Sequence, residues 1–133
     1  MEYTPRVTRR ATPRPRLRSL RTSASFRDFV LDQLSEVPAL SARAMFGGLG
    51  LYSGDVFFGL VAADVLYFKV DATSRLPFEA AGSGPFRPYG GEAAMSSYYN
   101  VPVGVLEHPP TLIVWARRAI EAARAANTPR RRG

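Results

Sequence analysis

The stretch RAMFGGLGLYSGDVFFGLV, residues 43–61, sets Gly47, Gly48, Gly50, Gly54 and Gly59 among aromatic and aliphatic residues. Glycine at that density can cradle a phosphate, because backbone N–H groups reach an anion most closely where no Cβ intervenes, or it can let strands turn and pack closely. The phosphate patterns fail on spacing. Gly48 and Gly50 begin a G-x-G, but Ser53 stands where G-x-G-x-x-G needs its third glycine, and Phe68, not glycine, precedes the single lysine, Lys69. The glycines lead into a turn and another strand-like segment, with no helix start to hold an anion. Bulges and close packing in a sheet are therefore expected of them.

Covalent and acid–base chemistry find as little to work with. The chain has no cysteine and one histidine, His108, set before Pro109 where it reads as a helix cap or loop residue, and a Ser or Thr nucleophile would need a base beside it. A metal needs several converging ligands, whereas the carboxylates are scattered along the chain. Asp55, Asp64 and Asp71 lie near strand ends and could pair as acid and base, but turn and cap roles account for all three. The expectation is a non-enzyme with no catalytic, cofactor or metal site.

Recognition chemistry is better served. In a strand over 65–70, Leu66, Phe68 and Val70 share one face while Val65, Tyr67 and Lys69 share the other. Tyr67, Lys69, Tyr98 and Tyr99 make a candidate interaction surface, which Arg87 and Tyr89 would extend toward the basic and aromatic interleaving that binds single-stranded nucleic acid. A second candidate is the N-terminal tail, where Arg9, Arg10, Arg14, Arg16, Arg18 and Arg21 could contact phosphates. The net charge of +7 sits in the tails: residues 1–22 carry seven arginines against Glu2, residues 130–132 are three arginines, and the stretch 23–127 holds eight basic against ten acidic residues.

The elements that must position these residues can be read from periodicity. Residues 1–22, with three prolines, seven arginines and no apolar period, read as a disordered tail, followed by one domain over 23–127 and a basic tail over 128–133. A helix running to Val37 places Phe26, Phe29, Val30, Leu34 and Val37 on one face, with Ser25 and Asp28 as its capping box. Strands are expected at 43–52, 56–62 and 65–70, then a short helix capped by Asp71 or, for the preferred later start, by Thr73 and stopped by Gly82, then strands near 86–89 and 94–100. The last helix, entered through Pro109 and Pro110, buries Leu112, Ala116, Ala119, Ile120 and Ala123 and turns Arg117, Glu121 and Arg124 outward. The order α-β-β-β-α-β-β-α makes an α+β fold, a two-layer α/β sandwich whose antiparallel sheet of five strands has helices on one face.

The segments RAMFGGLGLY (43–52), VLYFKVD (65–71), FEAAG (78–82), MSSYYNVP (95–102) and WARRAIEAA (115–123) resemble the TfoX N-terminal-domain family over about residues 25–125. The resemblance implies a two-layer α/β fold with this element order and no established catalytic activity, in a family that supplies the first domain of the TfoX/Sxy regulators of bacterial competence and also occurs alone. The sequence shows no second TfoX domain, so only part of a competence regulator's role carries over. Ala63 and Asp64 stand where the family often has Asp-Gly, which argues against a type I′ turn, and His108 stands where an Asp often caps the last helix. The expected function is a non-enzymatic regulatory or protein-interaction domain in the cytoplasm, binding an unknown protein partner and pairing as a homodimer through its uncovered sheet face, with no membrane association. The alternative is a nucleic-acid-associated protein acting through its Arg-rich tails.

Overall fold

In the computed structural model, which describes residues 19–88 and 95–127, the chain enters the fold at Leu20, ahead of the first helix. Leu20 is 7% exposed. Its carbonyl accepts the N–H of Ala63 at 3.1 Å, and the N–H of Thr22 donates to the carbonyl of Gly47 at 3.0 Å. The body therefore begins before Ser23, because a buried leucine and two backbone hydrogen bonds tie residues expected in the tail to the sheet. The remainder of the N-terminal tail and the C-terminal residues 128–133 lie outside the described residues.

Helix α1 spans Ala24–Gln33 and is capped by Ser23, whose Oγ accepts the N–H of Phe26 at 3.2 Å. The cap expected at Ser25 thus lies two residues earlier, and Asp28 pairs with its neighbour Arg27 at 3.3 Å instead of closing a box. Val30, Leu34 and Val37 are buried as their spacing requires, Leu34 and Val37 from the turns beyond the helix. Phe29 stays largely exposed.

The first strand segment folds back on itself. β1 (Leu40–Met45) and β2 (Gly48–Ser53) pair antiparallel from Leu40↔Ser53 to Met45↔Gly48 and turn at Phe46-Gly47, where φ is 50° and 88°. Positive φ at both central residues marks a type I′ turn, which favours Asn, Asp or Gly at the first position. Phenylalanine there hides the turn from a reading by residue type, and so the sheet gains a strand. β3 (Val56–Ala62) and β4 (Val65–Lys69) turn in the same way at Ala63-Asp64, with φ 51° and 62°. That turn forms despite its alanine because the N-terminal segment holds it: Ala63 N–H donates to the Leu20 carbonyl, and Ser23 N–H donates to Asp64 Oδ1 at 2.8 Å.

Helix α2 (Arg75–Ala80) comes after a turn organised by Asp71, whose Oδ1 accepts the N–H groups of Ser74 at 2.7 Å and Thr73 at 3.0 Å. The Ser74 amide first of all holds the Asp71 carboxyl below its usual value. Of the two expected caps Asp71 is thus the organising side chain, and the preferred Thr73 is not. Pro77 is the third helical residue, where the missing N–H costs nothing, and Gly82, at φ 87°, ends the helix as expected. β5 (Pro85–Phe86), β6 (Met95–Asn100), a single-turn helix α3 (Val103–Leu106) and the long α4 (Pro109–Asn127) complete the chain. His108 caps α4 through Nδ1, which lies 2.8 Å from Thr111 Oγ1 and 3.4 Å from its amide nitrogen.

Among the described residues six strands form one antiparallel sheet in the order β1-β2-β3-β4-β6-β5. The helices α1 to α4 lie on one face: Val30 and Leu34 of α1, Phe78 of α2, Leu106 of α3 and the expected stripe of α4 share a core with Leu51, Phe58, Leu66, Phe68 and Tyr99. The fold is α+β with two layers, as the residue patterns require. The glycines serve close packing: a Cβ at Gly48 would meet the carbonyl oxygen of Val61, and one at Gly59 would lie 2.7 Å from the carbonyl oxygen of Tyr67.

Candidate functional site

The sheet face without helices carries the second cluster of the molecule, built by Leu20, Leu60, Ala62, Tyr67, Phe86 and Tyr98. Alternation along β4 puts Tyr67 and Lys69 on this face, with Leu66 and Phe68 on the other. On β3 a register shift opposite Leu51/Tyr52 pairs Tyr52 with Phe57 and leaves Phe58 as the extra residue, so Phe57 packs on the helix-free face while Phe58 enters the main core.

Two features share that face. The first is a ladder of rings with Arg43 over its first ring and Lys69 over its last. The guanidinium carbon of Arg43 lies 4.7 Å from the Tyr52 ring centre, Tyr52 and Phe57 are 5.3 Å apart, Phe57 and Tyr98 5.8 Å apart, and Lys69 Nζ sits 5.3 Å from the Tyr98 ring centre. Burial pushes the Tyr98 hydroxyl above the usual tyrosine range. The second is an apolar pocket of about 350 Å³ lined by Leu20, Met45, Phe46, Leu60, Phe86 and Met95, and by Phe57, which joins it to the ladder. Its rim is exposed: Phe46 is 73% and Met95 42% open to solvent. Among the described residues Arg43 and Lys69 are the only charged ones in the strands, and both lie on this face.

The expected surface is brought together in part. Lys69 and Tyr98 meet directly. Tyr67 lies on the same face, 4.8 Å from the Phe86 ring, and like Tyr98 it is buried, so both rings lie beneath the exposed surface of the face. Tyr99 does not join them. Adjacent strand residues point to opposite faces, and Tyr99 is buried on the helix side, 6.2 Å from the Phe78 ring, with its hydroxyl donating to Glu79 Oε2 at 2.8 Å. That hydrogen bond, with desolvation, holds its hydroxyl above the usual tyrosine range. Arg21 is exposed beside Leu20, Arg87 is exposed after β5, and Arg9, Arg10, Arg14, Arg16, Arg18 and Tyr89 lie outside the described residues.

Arg43, Tyr52, Phe57 and the pocket did not emerge from the sequence. In one continuous strand Arg43 and Tyr52, an odd number of residues apart, would face opposite ways; the hairpin sets them side by side. The Gly-Gly pair at 47–48 between two apolar runs was the available signal for it. The other chemistry-bearing residues stay apart in local roles, Asp64 accepting from Ser23, Asp71 organising the turn before α2 and His108 capping α4. Among the described residues no three His, Cys, Asp or Glu gather as a metal site would need, and no helix is long and apolar enough to cross a membrane.

No curated protein sequence matches the chain. Residues 32–123, from the end of α1 into α4 and with all six strands included, match the TfoX N-terminal domain, and since that span exceeds half of its length the chain belongs to the TfoX N-terminal domain family.

Proposed function

We propose that this chain is a non-enzymatic regulatory interaction domain that acts in the bacterial cytoplasm and binds a protein partner through its helix-free sheet face. The observation that carries the reading is Phe46. It is a large apolar side chain held in the left-handed region at φ 50°, 73% exposed, on the rim of an apolar pocket. Strain and exposure both disfavour it in the isolated domain, and a bound partner that covers the ring offsets the second cost. Aromatic residues, methionine and arginine are also the types enriched where proteins meet. The reading as a non-enzyme is supported by His108, whose Nδ1 is engaged at the cap of α4.

A photo-crosslinking residue at position 46, compared with one at the exposed Arg117 on the outer side of α4, tests the reading in cell extract. Discrete adducts are expected from position 46 and none from position 117. Equal yields from both positions, or adducts from 117 alone, would refute it. Sedimentation velocity over a concentration series identifies the case in which the partner is a second copy of the chain.

The charge distribution favours a second reading, in which the seven arginines of residues 1–22 bind nucleic acid. It predicts affinity that falls with salt on a log–log slope of up to about −6 for duplex DNA. The ladder supports base stacking poorly, because the Tyr52 and Tyr98 rings are already covered by Arg43 and Lys69.

A further inference from the structure

Among the described residues, the strands of the helix-free face carry charge of one sign. Arg43 stands at the β1 end of the ring ladder and Lys69 on β4, between the strands of Phe57 and Tyr98, and no described strand carries a carboxylate. Three inter-strand steps separate them, roughly 15 Å. Between them Phe57 leads into the apolar pocket, with Phe46 and Met95 on its rim. An occupant that satisfies all of this must bring an apolar side chain for the pocket and carboxylates about 15 Å apart for the two cations.

Secondary structure narrows the occupant further. A segment lying flat on a sheet face finds no backbone hydrogen-bond partners there, since the strands have used theirs on each other, so an extended peptide would bury its own N–H and C=O groups unsatisfied. A helix arrives with its backbone satisfied, and about three turns of it span the distance between the cations. We propose that this face binds an acidic amphipathic helix of a partner protein, which seats an apolar side chain among Phe46, Leu20 and Met95 and sets carboxylates against Arg43 and Lys69. The proposal rests on the reading of the face as protein-binding and adds the chemistry of the partner. Charge disfavours the two other occupants. A second copy presents the same two cations from its own strands, and residues 1–18 of this chain carry six arginines against Glu2.

The test uses two fluorescein-labelled synthetic helices of about 18 residues, long enough to span the three turns, each with one Leu/Phe face and identical except that one is flanked by Glu and the other by Lys. Fluorescence anisotropy with the full chain is expected to show the Glu helix binding at least roughly tenfold tighter, with the gap narrowing in about 0.5 M salt. Arg43→Glu and Lys69→Glu should each weaken the Glu helix by roughly tenfold and strengthen the Lys helix, with circular dichroism and Tm showing that the variants fold. Lys69→Gln is the milder variant should the reversal disturb the half-buried site. Equal affinity for the two helices, or indifference to the charge reversals, would overturn the proposal. So would a dimer that Phe46→Asn dissolves, or a chain without residues 1–18 that binds either helix far more tightly than the full chain, since each names another occupant. If crosslinking at position 46 succeeds while the Glu helix shows no preference, the partner's chemistry is wrong and the protein-binding reading stands; if both fail, the reading falls as well.

Discussion

Phe46 combines two unfavourable placements in one residue, and they can be separated by a single substitution. The left-handed region costs a residue with a Cβ about 1–2 kcal/mol, and Phe46 occupies it in a turn whose next residue is Gly47. Phe46→Asn creates the Asn-Gly pair that type I′ turns favour. Calorimetry should therefore show a higher Tm, by about 1 kcal/mol of stability, while the anisotropy assay shows weaker binding of the Glu-flanked helix. A variant destabilised by the change would show that the ring holds the hairpin together. Tyr99 illustrates the opposite case, a residue whose type suggested contact and whose position gives it a structural role. Its hydroxyl, like that of Tyr98, is held above the usual value of 10.0, so the folded chain keeps these protons more firmly than the unfolded one. The stabilisation is complete below about pH 10 and is lost as pH rises through the folded values. Tyr99→Phe should cost about 1 kcal/mol at neutral pH and make thermal melts less sensitive to alkali than those of the wild type. Two consecutive tyrosines could not be told apart by residue type; the strand register of β6 decides between them.

At the scale of elements, legibility tracked the length of the periodic signal. Helix α4 repeats its apolar stripe over 19 residues, and Leu112, Ala116, Ala119, Ile120 and Ala123 are all buried as the spacing requires. The strand expected near 86–89 is present as β5 but holds only Pro85–Phe86, and α3, with four residues, is too short for a period to show. The β1–β2 hairpin was missed for a different reason, since its turn depends on a residue that the geometry disfavours. Capping sits between these cases. His108 stands where the resemblance puts a capping Asp, and its Nδ1 lies a long 3.4 Å from the Thr111 amide nitrogen. A carboxylate at that position would accept a charge-assisted bond and suit the positive end of the helix. His108→Asp should raise stability by about 0.5–1 kcal/mol in urea titrations at neutral pH; no change in the midpoint would mean that the imidazole already caps as well as aspartate.

For the whole molecule, the boundary between tail and body is a measurable quantity. Composition marked residues 1–22 as a single unit because arginine and proline run through it, yet Leu20 is buried against the sheet and the backbone at Leu20 and Thr22 bonds to both type I′ turns. A chain starting at residue 19 should melt like the full protein. A chain starting at residue 23 loses the Leu20 burial, about 2–3 kcal/mol, along with the clamp on Ala63-Asp64, and should melt at least about 10 °C lower. Equal melting of the two truncations would show that residues 19–22 dock without stabilising. The comparison also isolates the tail's charge, because removing residues 1–18 takes away six of its seven arginines and leaves the apolar anchor in place.

The strand order has a kinetic consequence. β1 to β4 are joined in sequence by three turns of two residues each, so this half of the sheet can zip from local contacts, whereas β6 reaches β4 only by closing a loop from Lys69 to Tyr98. Loop closure of that length delays a pairing relative to hairpins. The meander is therefore the natural folding nucleus, and two of its three turns must be forced through the left-handed region by residues that resist it. Relief of that resistance, as in Ala63→Gly, should accelerate refolding and leave the unfolding rate nearly unchanged, while loss of the Leu20 anchor should act mainly on unfolding. The open hairpin face proposed to bind a partner is then also the first surface the chain builds.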